Sequence, residues 1–249
     1  MSGGFSRQVE EHFGRGAASY SGRALLQRAV AWRLVRHLQA LPLPAGPCAD
    51  LGAGSGAVAQ AMAVLAPELL RREPLQVDLT PTLLARNPLA WRALPWDLND
   101  GLPPQLEEAA LLSSSFALQW LGDPAGHVSQ WCRALASGGV LALAVPTAGS
   151  FRSWHQAAEA SGVPCTALPL PAADALIEAA NDQLKLLHCR RLCFSRPASG
   201  LALLRQMRTI GADASQAPRL SGAQLRRLLR HWPPGPTTWE VLLLLGQRP

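Results

Sequence analysis

A glycine-rich segment with an acidic residue in front of it is the feature of this sequence best suited to bind a small molecule. It reads Asp50-Leu51-Gly52-Ala53-Gly54-Ser55-Gly56. Glycine permits positive φ in a tight turn from a strand into a helix, and it lets ligand atoms approach the backbone without meeting a Cβ. The helix N-terminus that follows such a turn attracts negative charge through its free N–H groups. The segment therefore predicts a ligand-binding loop.

Two kinds of ligand use such a loop, and the acid in front of it helps to choose between them. Gly52, Gly54 and Ala57 satisfy the G-x-G-x-x-[GA] spacing of loops that hold a dinucleotide pyrophosphate. Asp50 would add negative charge beside that anion, whereas it could hold the cationic ammonium of S-adenosylmethionine (SAM), directly or through water. We therefore favour SAM over a dinucleotide, with a purely structural turn as the third interpretation.

Two more acids lie at the predicted ends of strands. Asp78 could accept hydrogen bonds from ribose hydroxyls, or it could cap the helix that begins near Pro81. Asp97 could accept a hydrogen bond from an adenine amino group, or it could belong to a surface turn, because turn-forming residues follow it. Both acids are therefore candidates for the cofactor site, each with a structural alternative.

The elements that must position these residues alternate between helix and strand. Apolar residues recur at three- and four-residue spacing through residues 7–40, which predicts helix. Residues 131–135 are predicted to end a helix, and Ser137-Gly138-Gly139 to form a turn. Strands are predicted at 48–56, where the first runs into the glycine turn, and at 74–79, 111–115 and 140–145. This alternation predicts a doubly wound α/β fold with a mostly parallel sheet.

The pattern changes after residue 150, where it becomes mostly helical. A strand is predicted within 184–194, helices at 202–210 and 224–232, and a closing strand at 238–245. We interpret the chain as a single domain. Its parts are an N-terminal helical cap (1–45), a SAM-binding half (46–149), a substrate or lid region (150–219) and a C-terminal helix and strand (220–249).

Composition narrows the class of protein and of partner. The chain has 249 residues, of which 48% are hydrophobic and 16% charged, so it can bury a core and contains no sign of long disordered tracts. The net charge of +6 could indicate a nucleic-acid or acidic protein partner, or it could be drift toward arginine. Five cysteines without C-x-x-C spacing, a polar start and short apolar runs predict a cytoplasmic protein with no metal site and no membrane span.

Successive motifs resemble those of class I SAM-dependent methyltransferases. The glycine loop comes first, followed by Asp78-Leu79-Thr80-Pro81 and by Asp97-Leu98. Residues 114–120 (SSFALQW) are similar to the stretch after the fourth strand of that family, and residues 138–141 to the turn into its fifth strand. The resemblance implies a seven-stranded Rossmann-like sheet with N-terminal helices and a mostly helical lid insertion. It also implies a SAM site built from Asp50, Gly52, Gly54, Gly56, Asp78, Leu79, Asp97, Leu98 and Phe116.

A narrower resemblance, to the malonyl-[acyl-carrier protein] O-methyltransferases of biotin synthesis, runs along most of the chain. It is carried by residues 13–20 (FGRGAASY), 207–212 (MRTIGA) and 220–246. It implies O-methylation of the free carboxylate of a malonyl thioester on an acyl-carrier protein. Ser115 stands where that family usually has Asn, and Ala110 where an Asp normally opens the fourth strand.

Methylation of such an acceptor requires no general base from the protein. A malonyl carboxylate is already ionised at pH 7, and the transition state loses charge, so a dry apolar pocket favours the reaction. We predict Tyr20 and Gln119 as catalytic residues that shape this pocket. Those predicted to hold the acceptor are Arg15, Arg28, Trp120 and Arg208. Arg226, Arg227 and Arg230 are predicted to form a basic face for an acidic carrier protein.

Two other functions stay open at this point. A methyltransferase of the same fold could act on a small molecule such as a quinone or a fatty acid, although a phenolic or carbon acceptor would require a base that we do not find. A non-catalytic SAM-fold module could bind nucleic acid, as the pI of 9.7 suggests, although aromatic residues make up only 6% of the chain. Tyr20 and Trp120 could also be ordinary core aromatics.

Overall fold

The computed structural model describes residues 2–249 and has a single seven-stranded sheet at its centre. The strands are β1 (Cys48–Leu51), β2 (Leu75–Asp78), β3 (Ala93–Pro95), β4 (Ala109–Ser115), β5 (Leu135–Pro146), β6 (Lys185–Pro197) and β7 (Pro236–Gln247). Their order across the sheet is β3-β2-β1-β4-β5-β7-β6. Only β7 runs antiparallel to its neighbours, β5 and β6. The predicted doubly wound, mostly parallel fold is confirmed.

Ten α-helices surround the sheet in the described part of the chain. They are α1 (Ser2–Arg23), α2 (Leu25–Leu38), α3 (Ala57–Leu65), α4 (Pro67–Leu70), α5 (Pro81–Leu84), α6 (Pro124–Arg133), α7 (Arg152–Ser161), α8 (Ala173–Asn181), α9 (Gly200–Thr209) and α10 (Gly222–Arg230). The helical region predicted at 7–40 is thus two helices, separated at Ala24. None of the helices described has the length and apolar character needed to cross a membrane.

The core lies on both faces of the sheet, which explains the continuous apolar run in β5. Along that strand Val140, Ala142 and Ala144 belong to one buried cluster, whereas Leu141 and Leu143 belong to the other. Successive side chains of a strand point to opposite faces, so a strand covered on both sides must be apolar throughout.

The prediction of a helix end at 131–135 is confirmed, but the turn predicted at 137–139 is wrong. α6 ends at Arg133, and β5 already begins at Leu135 and runs through both glycines. Gly138 has a φ of +78°, and a Cβ on Gly139 would lie 2.5 Å from the Ala109 carbonyl oxygen. The glycines therefore allow close approach of strands at an irregular position of the ladder, which a local pattern does not distinguish from a turn.

The region from 150 to 219 is mostly helical, as predicted, but it also supplies an edge strand of the central sheet. It contains α7, α8 and α9, and β6 extends three residues beyond the predicted 184–194. β6 pairs with β7 over most of its length. The division of the chain into a cap, a cofactor half and a lid stays a prediction.

Candidate cofactor and acceptor site

The glycine loop connects β1 to α3 and is held against the end of β2. The N–H groups of Gly52 and Ala53 both donate to the Val77 carbonyl, at 2.7 and 2.9 Å. Gly52 has a φ of +77°, and a Cβ there would overlap the side chain of Ala117. Gly54 has a φ of +53°, but a Cβ there would meet nothing within 4 Å. The loop is therefore packed at Gly52 and open toward a cavity at Gly54.

Asp78, at the end of β2, fixes this loop directly. Its Oδ2 accepts a hydrogen bond of 2.8 Å from the Gly54 N–H, and its Oδ1 accepts one of 2.7 Å from the Thr80 N–H. Burial raises the pKa of Asp78, and the two backbone hydrogen bonds oppose that increase. From the sequence, Asp78 was predicted to contact a ribose or to cap the helix near Pro81. The N-cap residue of that helix is Thr80, and the loop-holding role of Asp78 was missed.

Asp50 has one carboxylate oxygen with a partner and one without. Its Oδ1 accepts a hydrogen bond of 3.1 Å from the Ser113 hydroxyl, whereas its Oδ2 is buried and has no hydrogen-bond partner. Burial raises the pKa of Asp50 to about 7, the Ser113 hydrogen bond lowers it, and the charge of Asp78 raises it further. A cationic ammonium would satisfy the orphaned oxygen, so the residues present fit SAM.

One cavity brings together nearly all residues that we predicted to hold the cofactor. Those lining it are Asp50, Gly52, Gly54, Asp78, Leu79, Asp97, Leu98 and Phe116. Gly56 does not line it: a Cβ there would overlap the Asn87 amide, so this glycine serves the packing at the start of α3. Asp97 also caps the 3₁₀ turn Leu98–Asp100, because its side chain accepts a hydrogen bond of 2.9 Å from the Asn99 N–H. Asp97 therefore lines the cavity and also belongs to a turn, which was the alternative prediction for it.

Phe116 has an unusual backbone conformation that Gln119 stabilises. Phe116 has a φ of +58°, which non-glycine residues rarely adopt, and its N–H donates to the Ala144 carbonyl at 2.8 Å. The Gln119 Nε2 donates to the Phe116 carbonyl at 2.7 Å, while the Gln119 Oε1 is buried without a partner. Gln119 thus contacts the residue that lines the cavity, so the structure gives it a positioning contact.

A second cavity of about 750 Å³ lies beside the first and shares one wall with it. The residues that line both are Phe13, Tyr20, Gln27, Phe116 and Trp120. Gln119 lines the second cavity but not the first. The aromatic side chains of Phe151, Trp154 and Trp239 form part of its far wall.

Three exposed arginines line this second cavity. Arg15 and Arg208 were predicted to hold the acceptor and lie here, together with Arg219, which the sequence analysis missed. Arg28 is exposed and lines neither cavity. The structure therefore brings together two of the three predicted substrate arginines and leaves Arg28 outside the site.

α1 covers the place where the two cavities meet. Phe13 packs edge-on against Trp120, with ring centroids 5.4 Å apart, and against Tyr20 at 6.0 Å. Burial raises the pKa of Tyr20, and the charge of Asp78 raises it further, so the hydroxyl stays protonated. The helix is held by Ser19, whose hydroxyl donates to the Thr209 carbonyl at 2.9 Å, and by a 2.7 Å contact between His12 Nδ1 and Asp213.

Two curated proteins are similar to this chain over more than nine tenths of its length. No family model matches the chain. It is 33% identical over 263 residues to a malonyl-[acyl-carrier protein] O-methyltransferase of Alcanivorax borkumensis, covering 96% of this chain and 86% of that protein. It is 31% identical over 244 residues to the biotin biosynthesis bifunctional protein BioCD of Bordetella avium. That match covers 91% of this chain but only 49% of the bifunctional protein.

Two solved structures share the fold at low sequence identity. A SAM-dependent methyltransferase from Thermotoga maritima superposes with a TM-score of 0.55 at 14% identity, covering 96% of this chain and 99% of that one. The N-methyltransferase NodS from Bradyrhizobium japonicum, in complex with S-adenosyl-L-homocysteine, gives a TM-score of 0.51 at 13% identity, covering 89% and 87%. At this identity the likeness shows the fold alone.

Proposed function

We infer the reaction from one premise: this chain belongs to the malonyl-[acyl-carrier protein] O-methyltransferase family and is a SAM-dependent methyltransferase. We propose that it transfers a methyl group from SAM to the free carboxylate of a malonyl thioester on an acyl-carrier protein. The product would be a methyl ester made for biotin synthesis, the process named for one of its relatives.

The observation that carries this proposal is the wall shared by the two cavities. All five residues that line both are uncharged at neutral pH: Phe13, Tyr20, Gln27, Phe116 and Trp120. A phenol or a carbon acid needs a base at this place, whereas a carboxylate arrives already deprotonated. The shared wall therefore favours an acceptor that is an anion before it binds.

The residues of the first cavity would hold the cofactor and leave its reactive group facing the second. When bound, SAM supplies a methyl group activated by a sulfonium. The Asp50 carboxylate would pair with the ammonium of the cofactor, while Asp78 and Asp97 would accept hydrogen bonds from its hydroxyl and amino groups. Gly54, which has open space where a Cβ would be, lets the cofactor approach the loop.

The shared wall would act on the acceptor by excluding water and by orienting it. Methyl transfer joins a cation and an anion into neutral products, so an environment drier than water favours it. Tyr20, which keeps its proton, could donate a hydrogen bond to the carboxylate oxygen that does not attack. Arg15 and Arg208 would attract the acceptor from positions outside the shared wall, where they do not lower the nucleophilicity of the attacking oxygen.

The test is mass spectrometry of a malonyl-carrier protein incubated with the purified chain and SAM. We expect the carrier to gain the mass of one methyl group and to lose it on ester hydrolysis. Reactions without SAM and with an acetyl-carrier, which lacks the free carboxylate, are the controls and should gain nothing. If the acetyl-carrier gains a methyl group, or if neither carrier does while SAM still binds, the assigned acceptor is wrong.

A cytoplasmic location is part of this proposal. All five cysteines are free thiols, which is the usual state in a reducing compartment. Fractionation of the host cell with an antibody against the chain would test it, and the proposal expects the protein with the cytoplasmic markers.

A further inference from the structure

The mouth of the second cavity gathers arginines from four separate parts of the chain. Arg15 comes from α1, Arg208 from α9 and Arg219 from the segment that follows it. Arg226 of α10 joins them, because a Cβ on the cavity-lining Gly222 would lie 3.5 Å from the Arg226 Nη1. We call these four residues the arginine rim.

The arginine rim is short of negative charge from its own chain. Residues 200–231 contain six arginines but one acid, Asp213. Asp213 is the acidic residue among those lining the second cavity, and it already contacts His12 at 2.7 Å. Within residues 2–249, none of the rim arginines forms an ion pair. Exposed cations that gather without counter-charges create a positive potential that a partner can neutralise.

The arginines of α10 do not all lie at the second cavity. Arg227 turns away, since its Nη2 lies 3.7 Å from the position of a Cβ on Gly162, at the end of α7. Of the three arginines predicted to form the basic face, the structure thus places Arg226 at the cavity mouth and Arg227 beside another helix. The rim is defined by the cavity and not by α10 alone.

We propose that the arginine rim is the docking surface for the acyl-carrier protein, which would present carboxylates around the attachment point of its prosthetic arm. This inference rests on the proposed function. The rim arginines are exposed, so an arm that enters the second cavity beside them brings the protein surface around its attachment point against them. Charge complementarity at such a rim acts mainly on the rate of association and weakens with salt.

The test compares a carrier with a small acceptor that lacks both protein and phosphate. The acceptors are the malonyl-carrier protein and malonyl-N-acetylcysteamine, and the quantity is the ratio of their kcat/KM values. The variant Arg219→Glu with Arg226→Glu reverses two rim charges and should lower this ratio about 10- to 100-fold. The variant Arg219→Gln with Arg226→Gln removes the two charges without reversing them, and it should lower the same ratio by a smaller factor.

The matched control reverses two exposed arginines on the opposite edge of the sheet. Arg71 and Arg133 come just before the amino ends of β2 and β5, whereas the site lies at the carboxyl ends of the parallel strands. Arg71→Glu with Arg133→Glu should keep the ratio within about twofold. SAM binding by calorimetry checks that every variant is folded.

The kinetic results distinguish a failure of the docking inference from a failure of the proposed function. If rim and control variants change the ratio equally, or if both acceptors slow by the same factor, the rim is not the docking surface although the proposed function stands. If the unchanged protein methylates the small thioester but not the carrier, the proposed function and the docking inference both fall. In the unchanged protein the KM for the carrier should rise with ionic strength, and a KM that is insensitive to salt overturns the inference.

Discussion

Gly16 of α1 and Gly211, which follows α9, approach so closely that neither position has room for a side chain. A Cβ on Gly16 would lie 2.8 Å from the Gly211 nitrogen, and a Cβ on Gly211 would lie 2.5 Å from the His12 carbonyl oxygen. The contact joins two stretches, 13–20 and 207–212, that carry the narrower family resemblance independently. They are one structural unit, which holds α1 over both cavities.

Gly16→Ala should separate α1 from the segment after α9. The added methyl group meets backbone atoms that cannot turn aside, so we expect the free energy of unfolding to fall by about 1–3 kcal/mol. SAM affinity should fall as well, because α1 covers the cofactor cavity. Gly22→Ala is the control: it lies in the same helix with nothing within 4 Å of an added Cβ, and alanine should there be neutral or stabilising. Equal melting temperatures for the two variants would contradict the contact.

The glycine loop should respond differently to alanine at Gly52 and at Gly54, both of which have a positive φ. Gly52→Ala places a methyl group on the side chain of Ala117 and should lower stability strongly. Gly54→Ala adds a methyl group where the protein leaves open space, so it carries only the backbone cost of about 1–2 kcal/mol. Because Gly54 lines the first cavity, that methyl group would take space that we propose for the cofactor, so SAM affinity should fall at least about tenfold in a folded protein. Melting curves and calorimetry separate the two effects, and unchanged SAM binding by Gly54→Ala would refute the site.

SAM binding should weaken in acid because of Asp50. In the free protein its pKa is about 7, and pairing with an ammonium requires the ionised form. The dissociation constant should therefore rise as the pH falls below 7, approaching about tenfold per pH unit. Asp50→Asn should raise the dissociation constant about 10- to 100-fold at pH 8 and make it nearly independent of pH. A pH profile of Asp50→Asn that matches the unchanged protein would show that another group is responsible.

The same carboxyl group should make the free protein more stable in mild acid. Its pKa is raised above the ordinary value of 3.8, so this contribution is complete below about pH 4 and is lost as the pH rises to about 7. Asp50→Asn should remove that slope from the melting temperature. Excess SAM should stabilise the unchanged protein more at pH 8 than at pH 6.

Gln119 should matter to the reaction through Phe116. Gln119→Glu sets a carboxylate against the Phe116 carbonyl and removes a 2.7 Å hydrogen bond, so kcat/KM should fall about tenfold or more. Gln183→Glu removes a similar amide-to-carbonyl bond, from Gln183 Nε2 to the Ser129 carbonyl at 3.2 Å, away from both cavities. Both variants should lose some stability, but only Gln119→Glu should change kcat/KM. Equal kinetic effects would mean that Gln119 serves stability alone.

The sequence predicted well which residues meet at the first cavity, because that meeting follows from the topology of the sheet. Asp50 and Asp78 lie at the carboxyl ends of β1 and β2, and Asp97 follows β3. Parallel strands end at one edge of the sheet, so such residues meet whatever the exact register. The bond from the Gly54 N–H to Asp78 could not be foreseen, since it depends on the register that sets Leu51 opposite Val77.

The lining of the second cavity was predicted less well because it depends on how helices are rotated. Gln27 lines both cavities, whereas Arg28, one residue later and about 100° further around α2, faces solvent. Arg219 lies outside any helix or strand and reaches the cavity only through the packing of α9 and α10. No periodic pattern in the sequence predicts that Arg28 faces solvent or that Arg219 lines the cavity.

The antiparallel strand β7 has a consequence for how the protein is made. β7 lies between β5 and β6, and in the described sheet it is the strand that pairs with β6. On the ribosome β6 is therefore synthesised well before its hydrogen-bonding partner, and the nascent chain carries a 13-residue unpaired strand until β7 emerges. Unpaired strands of this length are templates for aggregation. The four cationic side chains of β6, Lys185, Arg190, Arg191 and Arg196, would then act as gatekeepers that keep neighbouring nascent chains apart during that interval.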